Sequence, residues 1–260
     1  MIDIHCHILP CIDDGSKDIE MSLKMLKIAE EDGINKIIAT PHFYRGYFEN
    51  DYKEVLKKIE ELNTVAKEKN IGVEILPGQE IFLDNYTLQY YKDGIVKGLN
   101  DTNYMLIEFS PNTLPSNAID IIYELKLKGI KPIIAHPERY SYVIDDITLL
   151  NRFIEEKCFF QLSSGSITGI FGKKIQKTSM QLIKHGICDF VASDAHSTRR
   201  RSPKIKESLE ILKKENKLVY DRVINNALAL AEKEELPYIN KKIVERKSIF
   251  SIFRRKATIN

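Results

Sequence analysis

The 260-residue chain has no run of 18 apolar residues, so no membrane-spanning helix is written in it. Its N-terminus lacks the basic, apolar and small-residue order of a signal peptide, and a cytoplasmic location is expected. A dominant charge is missing too. The 39 Lys and Arg residues against 37 Asp and Glu leave a net charge of +2, which gives no whole-chain case for a nucleic-acid partner. Cysteine is scarce: Cys6, Cys11, Cys158 and Cys188 show no CxxC spacing and are expected to be reduced. A cysteine-dependent phosphatase loop places an arginine six residues after its nucleophile. Those positions hold Ile12, Lys17, Ser164 and Asp194, so that chemistry is excluded. There is no internal repeat and no Pro/Gly-rich linker. With 43% apolar and 29% charged residues, the chain reads as one large domain with an ordinary core.

Apolar β-type runs recur at 2–8, 35–40, 72–77, 104–109, 131–135, 159–163 and 189–193. Between and after them lie helical patterns at 18–32, 51–69, 116–128, 145–157, 173–186, 203–215 and 218–234. This alternation predicts parallel strands in an α/β barrel or an open α/β sheet. The stretch 241–260 differs, mixing Phe and Ile with Arg and Lys. It is expected to be either a frayed tail or a basic, aromatic segment that touches an anionic membrane surface or a partner.

Histidine is as scarce as it is localised. Of six histidines, five fall at predicted strand ends: His5 and His7 in IDIHCHILP, His42 in ATPHF, His136 in IIAHPERY and His196 in VASDAHS. Only His185 lies inside a helical pattern, where a solvated or capping role is expected. On a strand His5 and His7 share a face and Cys6 takes the other. Carboxylates occupy equivalent places: Asp13 and Asp14 after the first strand, Glu80 in LPGQEI, Glu108 in LIEFS and Asp194. In a parallel α/β fold the C-terminal strand ends converge, and active sites are built there.

Five imidazoles with accompanying carboxylates and no thiolate point to Mn²⁺, Fe or Zn²⁺ rather than a Cys-rich structural zinc. One ion would leave half the set unused, so two or three ions are expected, with a bridging carboxylate. Clustered cations would also offset the repulsion among the carboxylates. Water bridging such ions ionises near neutral pH, and the ions neutralise charge on phosphoryl oxygens. Arg139 lies three residues past His136, and Arg199, Arg200 and Arg201 follow His196. Guanidinium is a planar phosphate clamp, and one of the three is expected to reach the site.

Taken in order, IDIHCHILPCIDDG, ATPHF, LPGQEI, LIEFS, IIAHPERY, QLSSGSITGIFG and VASDAHS resemble the PHP (polymerase and histidinol phosphatase) superfamily. Within it they are most similar to the bacterial manganese-dependent protein-tyrosine phosphatases of capsule and exopolysaccharide systems. The similarity runs from Met1 to about residue 235. It implies a single domain over 1–240, folded as a distorted (β/α)₇ barrel holding three metals, most simply Mn²⁺. By this resemblance His5, His7, Glu80 and Asp194 hold the first ion. Glu80, Glu108 and His136 hold the second, and Asp14, His42 and His196 the third. Arg139 and Arg201 bind phosphate. The implied substrate is the phosphotyrosine tail of a membrane-associated bacterial tyrosine kinase. Two departures are Cys11, where the motif often has a small residue, and the unusually basic RRRSP segment. The alternatives are a small-molecule phosphatase on the same fold, such as one for histidinol phosphate, and a kinase-binding regulatory subunit without activity. A nuclease of the polymerase-associated branch is disfavoured by the near-neutral charge.

Overall fold

The structure, a computed structural model, describes residues 1–244. Most of the expected 241–260 tail, from residue 245 on, lies outside the described residues. The strands are β1 (Ile2–Cys6), β2 (Lys36–Ala39), β3 (His42–Tyr44), β4 (Phe48–Glu49), β5 (Glu74–Pro77), β6 (Glu80–Phe82), β7 (Tyr104–Glu108), β8 (Lys131–Ala135), β9 (Phe159–Ser163) and β10 (Phe190–Ala192). The helices are α1 (Ile19–Asp32), α2 (Tyr52–Glu68), α3 (Thr87–Lys92), α4 (Ala118–Leu127), α5 (Ser141–Asp145), α6 (Asn151–Glu155), α7 (Ser164–Ile167), α8 (Lys173–Lys184), α9 (Lys206–Glu215) and α10 (Lys217–Ala231).

Among the described residues all strand pairings are parallel except the β3–β4 hairpin. One sheet has the order β1-β2-β5 and the other β10-β9-β8-β7-β6-β3-β4. The two are continuations of each other, because β3 follows β2 after Thr40-Pro41 and β6 follows β5 after Gly78-Gln79. Proline cannot donate to a ladder, which interrupts the first run at Pro41. The second run bends at Gly78, where a Cβ would lie 2.7 Å from Ile38 and 2.8 Å from Leu99. Seven parallel runs result. The regular ladders do not join β10 to β1; that seam carries one bridge, Cys6 to Ala195, with His7 N donating to Ala195 O at 2.9 Å and Asp194 N to His5 O at 2.8 Å.

Local chemistry sets the element ends. The Asp18 carboxylate caps α1 by accepting from Met21 N at 2.7 Å, and Gly33, in the left-handed region, ends it. The helix expected at 145–157 is broken instead, because Asp146 Oδ1 accepts from Thr148 N at 2.8 Å and Thr148 Oγ1 at 2.6 Å, an Asx turn that competes with the helical ladder. His185 is the exposed C-cap residue of α8. Apolar residues pack in two clusters on opposite strand faces: a larger one, with Ile37, Met105, Ile134 and Phe160, that takes the helix stripes, and a smaller one with Ile38, Leu106, Ile133 and Phe159. Ile243 joins the larger through paired hydrogen bonds with Asn151. Among the described residues no helix is long and apolar enough to cross a membrane.

Candidate metal centre

All nine expected ligands meet in one place. A cavity of about 360 Å³ is lined by Asp14, His42, Glu80, Glu108, His136, Asp194 and His196, with Arg139 and Arg201 also in its wall. His5 and His7, both fully buried, lie beneath it, their Nε2 atoms 3.1 Å apart. Strand register explains the rest. His42 and Glu80 open β3 and β6 as direct partners, and Glu108 ends β7 opposite Phe82. His136 and Asp194 follow β8 and β10 with φ of 32° and 51°, left-handed backbone that non-glycine residues seldom adopt and that clusters at functional sites.

Ligand-capable atoms form three overlapping groups, each with all its atoms within 4.8 Å of one another. The first is His7, Asp14, His42 and His196; the second is His5, Glu80, His136 and Asp194; the third is His42, Glu80 and Glu108. His7 thus sits with the Asp14 set, although its Nε2 is also 3.2 Å from Glu80.

The donor set fits divalent cations. Gln161 Oε1 lies 3.0 Å from His5 Nδ1, Asp13 Oδ2 2.7 Å from His7 Nδ1, and the Asp194 carbonyl 3.1 Å from His196 Nδ1. These oxygens can only accept, so each Nδ1 carries a proton, and in the neutral ring Nε2 directs a lone pair inward. Two buried imidazole lone pairs facing each other beside carboxylates make little sense without a shared cation.

The electrostatics agree. Burial, reinforced by Glu80 and Asp194, pushes Glu108 up to about 9. Burial also acts on Glu80, but His5, His42 and His136 outweigh it and hold the carboxyl well below the usual range. Desolvation takes His136 down to about 4, with Arg139 adding to it, and His196 down to about 4, with His7 adding. Burial opposes the charged rings of His5 and His7, yet neighbouring carboxylates raise both. Without cations, protons on those rings partly balance the carboxylates.

Of the three consecutive arginines, Arg201 turns inward, its Nη2 2.7 Å from Asp194 Oδ1, and Arg139 meets the other Asp194 oxygen. Arg200 donates to the Ile170 carbonyl at 2.6 Å, and Arg199 lines a neighbouring pocket.

Comparison with known proteins locates this site in a family. The profile described as capsular polysaccharide synthesis, CpsB/CapC, matches residues 1–231. The chain belongs to the CpsB/CapC family. It is 38% identical over 255 residues to the tyrosine-protein phosphatase YwqE of Bacillus subtilis, covering 97% of this chain and all of the relative. It is 36% identical to the putative tyrosine-protein phosphatase CapC of Staphylococcus aureus, over 80% of this chain and 81% of that one. A solved structure from work on YwqE and Streptococcus pneumoniae CpsB, described as unique metal-dependent tyrosine phosphatases, superposes with a TM-score of 0.90 at 38% identity. It covers 95% of this chain and all of that one.

Two residues outside the expected ligand set support the site in this CpsB/CapC chain. Gln161 sits on β9, a strand whose end carried no histidine to draw attention. The family resemblance selects Asp14 of the Asp13-Asp14 pair as a ligand, and Asp13 is the hub of the loop. Oδ1 accepts from Gly15 N at 2.9 Å, and Oδ2 from His7 Nδ1 and, at 3.0 Å, from His42 N. The Asp-x-Gly spacing of an Asx turn was the available signal. A Cβ on Gly15 would lie 2.2 Å from the His7 carbonyl, so the loop closes directly onto His7. Asp13→Asn must turn an amide donor toward one of these N–H groups. Metal affinity is expected to fall about 10- to 100-fold, the usual cost of losing such an orienting partner, as read by metal-titration calorimetry. Unchanged affinity would deny Asp13 that role.

Proposed function

We propose that this chain is a metal-dependent protein-tyrosine phosphatase of capsular or exopolysaccharide synthesis, acting in the cytoplasm on a bacterial tyrosine kinase. The observation that carries the reading is the convergence of five imidazoles and four carboxylates beneath two arginines. His5, His7, Asp14, His42, Glu80, Glu108, His136, Asp194 and His196 are the proposed ligands, for Mn²⁺ in the first instance. Bound divalent ions supply Lewis acidity toward phosphoryl oxygen and make water acidic enough to ionise near neutral pH.

The chain's own residues do the rest. Arg139 and Arg201 lie in the cavity wall, where their guanidinium groups can exchange Asp194 for phosphoryl oxygens. Burial closes the ligand cluster on the core side, so water and substrate enter from the arginine side. Part of the cavity wall is aromatic. Tyr44 and Phe82 follow His42 and Glu80 by one pleat on the same strand faces, with ring centroids 4.1 Å apart, and Phe48 lines the cavity beside them. A phosphate seated at the ligands therefore presents its ester group to aromatic rings, which favours an aryl ester. Phenolate, the conjugate base of a group with a pKa of about 10, is a tolerable leaving group without a strong general acid.

Histidinol phosphate is the rival substrate, since the same chemistry would hydrolyse it. The deciding experiment compares Mn²⁺-loaded enzyme on a phosphotyrosine peptide and on histidinol phosphate; faster turnover of histidinol phosphate would overturn the proposal. On p-nitrophenyl phosphate, Arg201→Ala should raise KM by about tenfold or more, the scale of one lost charge-assisted contact, and Arg199→Ala should leave it unchanged. Equal losses would remove the distinction between the two arginines.

A further inference from the structure

A second pocket of about 270 Å³ adjoins the metal cavity and contains none of the nine clustered side chains. Arg199, Arg200, Arg201 and Lys204 line it against a single carboxylate, Glu207. Among the described residues, neither Arg199, Arg200 nor Lys204 forms an ion pair, and all three are exposed. The loop that carries these arginines is tightly closed, because the amides of His196 and Ser197 both donate to the Arg201 carbonyl at 2.9 Å. One short loop thus directs His196 and the Arg201 side chain into the metal cavity and fans Arg199 and Arg200 into its neighbour.

The partition between the two spaces is itself cationic. Arg201 lines both. Arg139, in the wall of the metal cavity, lies 5.1 Å from the ring centroid of Phe171, which lines the second pocket. A substrate with its phosphate at the metal cavity therefore has a neighbouring concavity on the arginine side that is positive with an aromatic flank.

We propose that this pocket is a substrate subsite for a second anionic group, a carboxylate or another phosphate, on the same peptide as the scissile phosphotyrosine. The assignment rests on the phosphatase reading above and adds a preference for acidic sequence around the phosphotyrosine. A lipid headgroup would share the charge. A peptide is favoured because the pocket meets the cavity through Arg201, so that two anionic groups of one chain can occupy both. Exposed cations of this kind act mainly on encounter and on KM, and their effect weakens with salt.

The test uses full-length Mn²⁺-loaded protein and three substrates: a phosphotyrosine peptide flanked by Asp and Glu, the same peptide with neutral flanks, and p-nitrophenyl phosphate. Wild-type protein should show a kcat/KM about fivefold higher for the acidic peptide at low salt, the sum of a few exposed charge contacts. The double variant Arg199→Ala/Lys204→Ala should lose that preference through KM, with kcat and p-nitrophenyl phosphate turnover unchanged. A peptide with a second phosphotyrosine in place of the acids should behave alike. Equal wild-type rates on acidic and neutral peptides would overturn the subsite. So would a variant that keeps the preference while losing affinity for anionic phosphatidylserine vesicles, which would assign the pocket to a membrane. Absence of p-nitrophenyl phosphate hydrolysis by the wild type is a different failure, that of the phosphatase reading.

Discussion

Replacing Glu80 by glutamine should lower phosphotyrosine-peptide turnover by about three orders of magnitude, which at 1.36 kcal/mol per tenfold corresponds to the several kcal/mol that metal-borne charge stabilisation supplies. Glu80 is 1% exposed and faces four imidazoles. Its Oε2 is 3.2 Å from His5 Nε2, 3.2 Å from His7 Nε2 and 3.3 Å from His42 Nδ1, and its Oε1 is 3.0 Å from His136 Nε2. It also belongs to two of the three ligand groups. No other carboxylate in the cluster could serve two ions as readily. Glutamine keeps the shape and can donate to an imidazole, so the fold should survive. It removes the negative charge and one ligating oxygen. Kinetics beside elemental analysis of the purified variant check the expectation. A variant that keeps more than a tenth of its turnover with full metal content would take Glu80 out of the bridging position.

The legible part of this site was the part written in strand-end residue types. Period-two alternation placed His5 and His7 together without any knowledge of the fold, and parallel topology brought His42, Glu80, Glu108, His136 and Asp194 to the same end. Hidden were features set by tertiary hydrogen bonds. Gln161 supports His5 across 156 positions of chain, a separation that no local pattern records. The division of two strand runs at Pro41 and at Gly78 also depends on what packs opposite them, as the approach of Gly78 to Ile38 and Leu99 shows. The choice of Arg201 over Arg199 came from the family resemblance. Its physical basis is the pair of hydrogen bonds from the His196 and Ser197 amides to the Arg201 carbonyl, which turns one side chain inward and leaves its neighbours outside.

Stripping metal with a chelator should abolish turnover, and Mn²⁺ should restore it, with a stability change that does not depend on the assay. Five histidines and four carboxylates, six of the nine buried, are poorly compensated without cations. An ion present at 100 times its Kd stabilises the folded state by about 2.7 kcal/mol, and in a domain of this size each kcal/mol moves Tm by about 2–4 °C. A fall in Tm of about 5–10 °C on chelation is therefore expected from a single tightly held ion, and more if several leave together. Carboxylate neighbours raise His5 and His7 despite their burial, so in the stripped protein these rings hold protons that a cation must expel. Mn²⁺ binding should then release protons into solution. Metal affinity should weaken as pH falls through the raised values of the two rings, because protonated imidazole has no lone pair to offer. Calorimetric titration in two buffers of different ionisation enthalpy separates that release from the heat of binding. A stripped protein that keeps its Tm and binds Mn²⁺ without releasing protons would mean that the nine side chains do not form a cation site, and the phosphatase chemistry built on them would have no source.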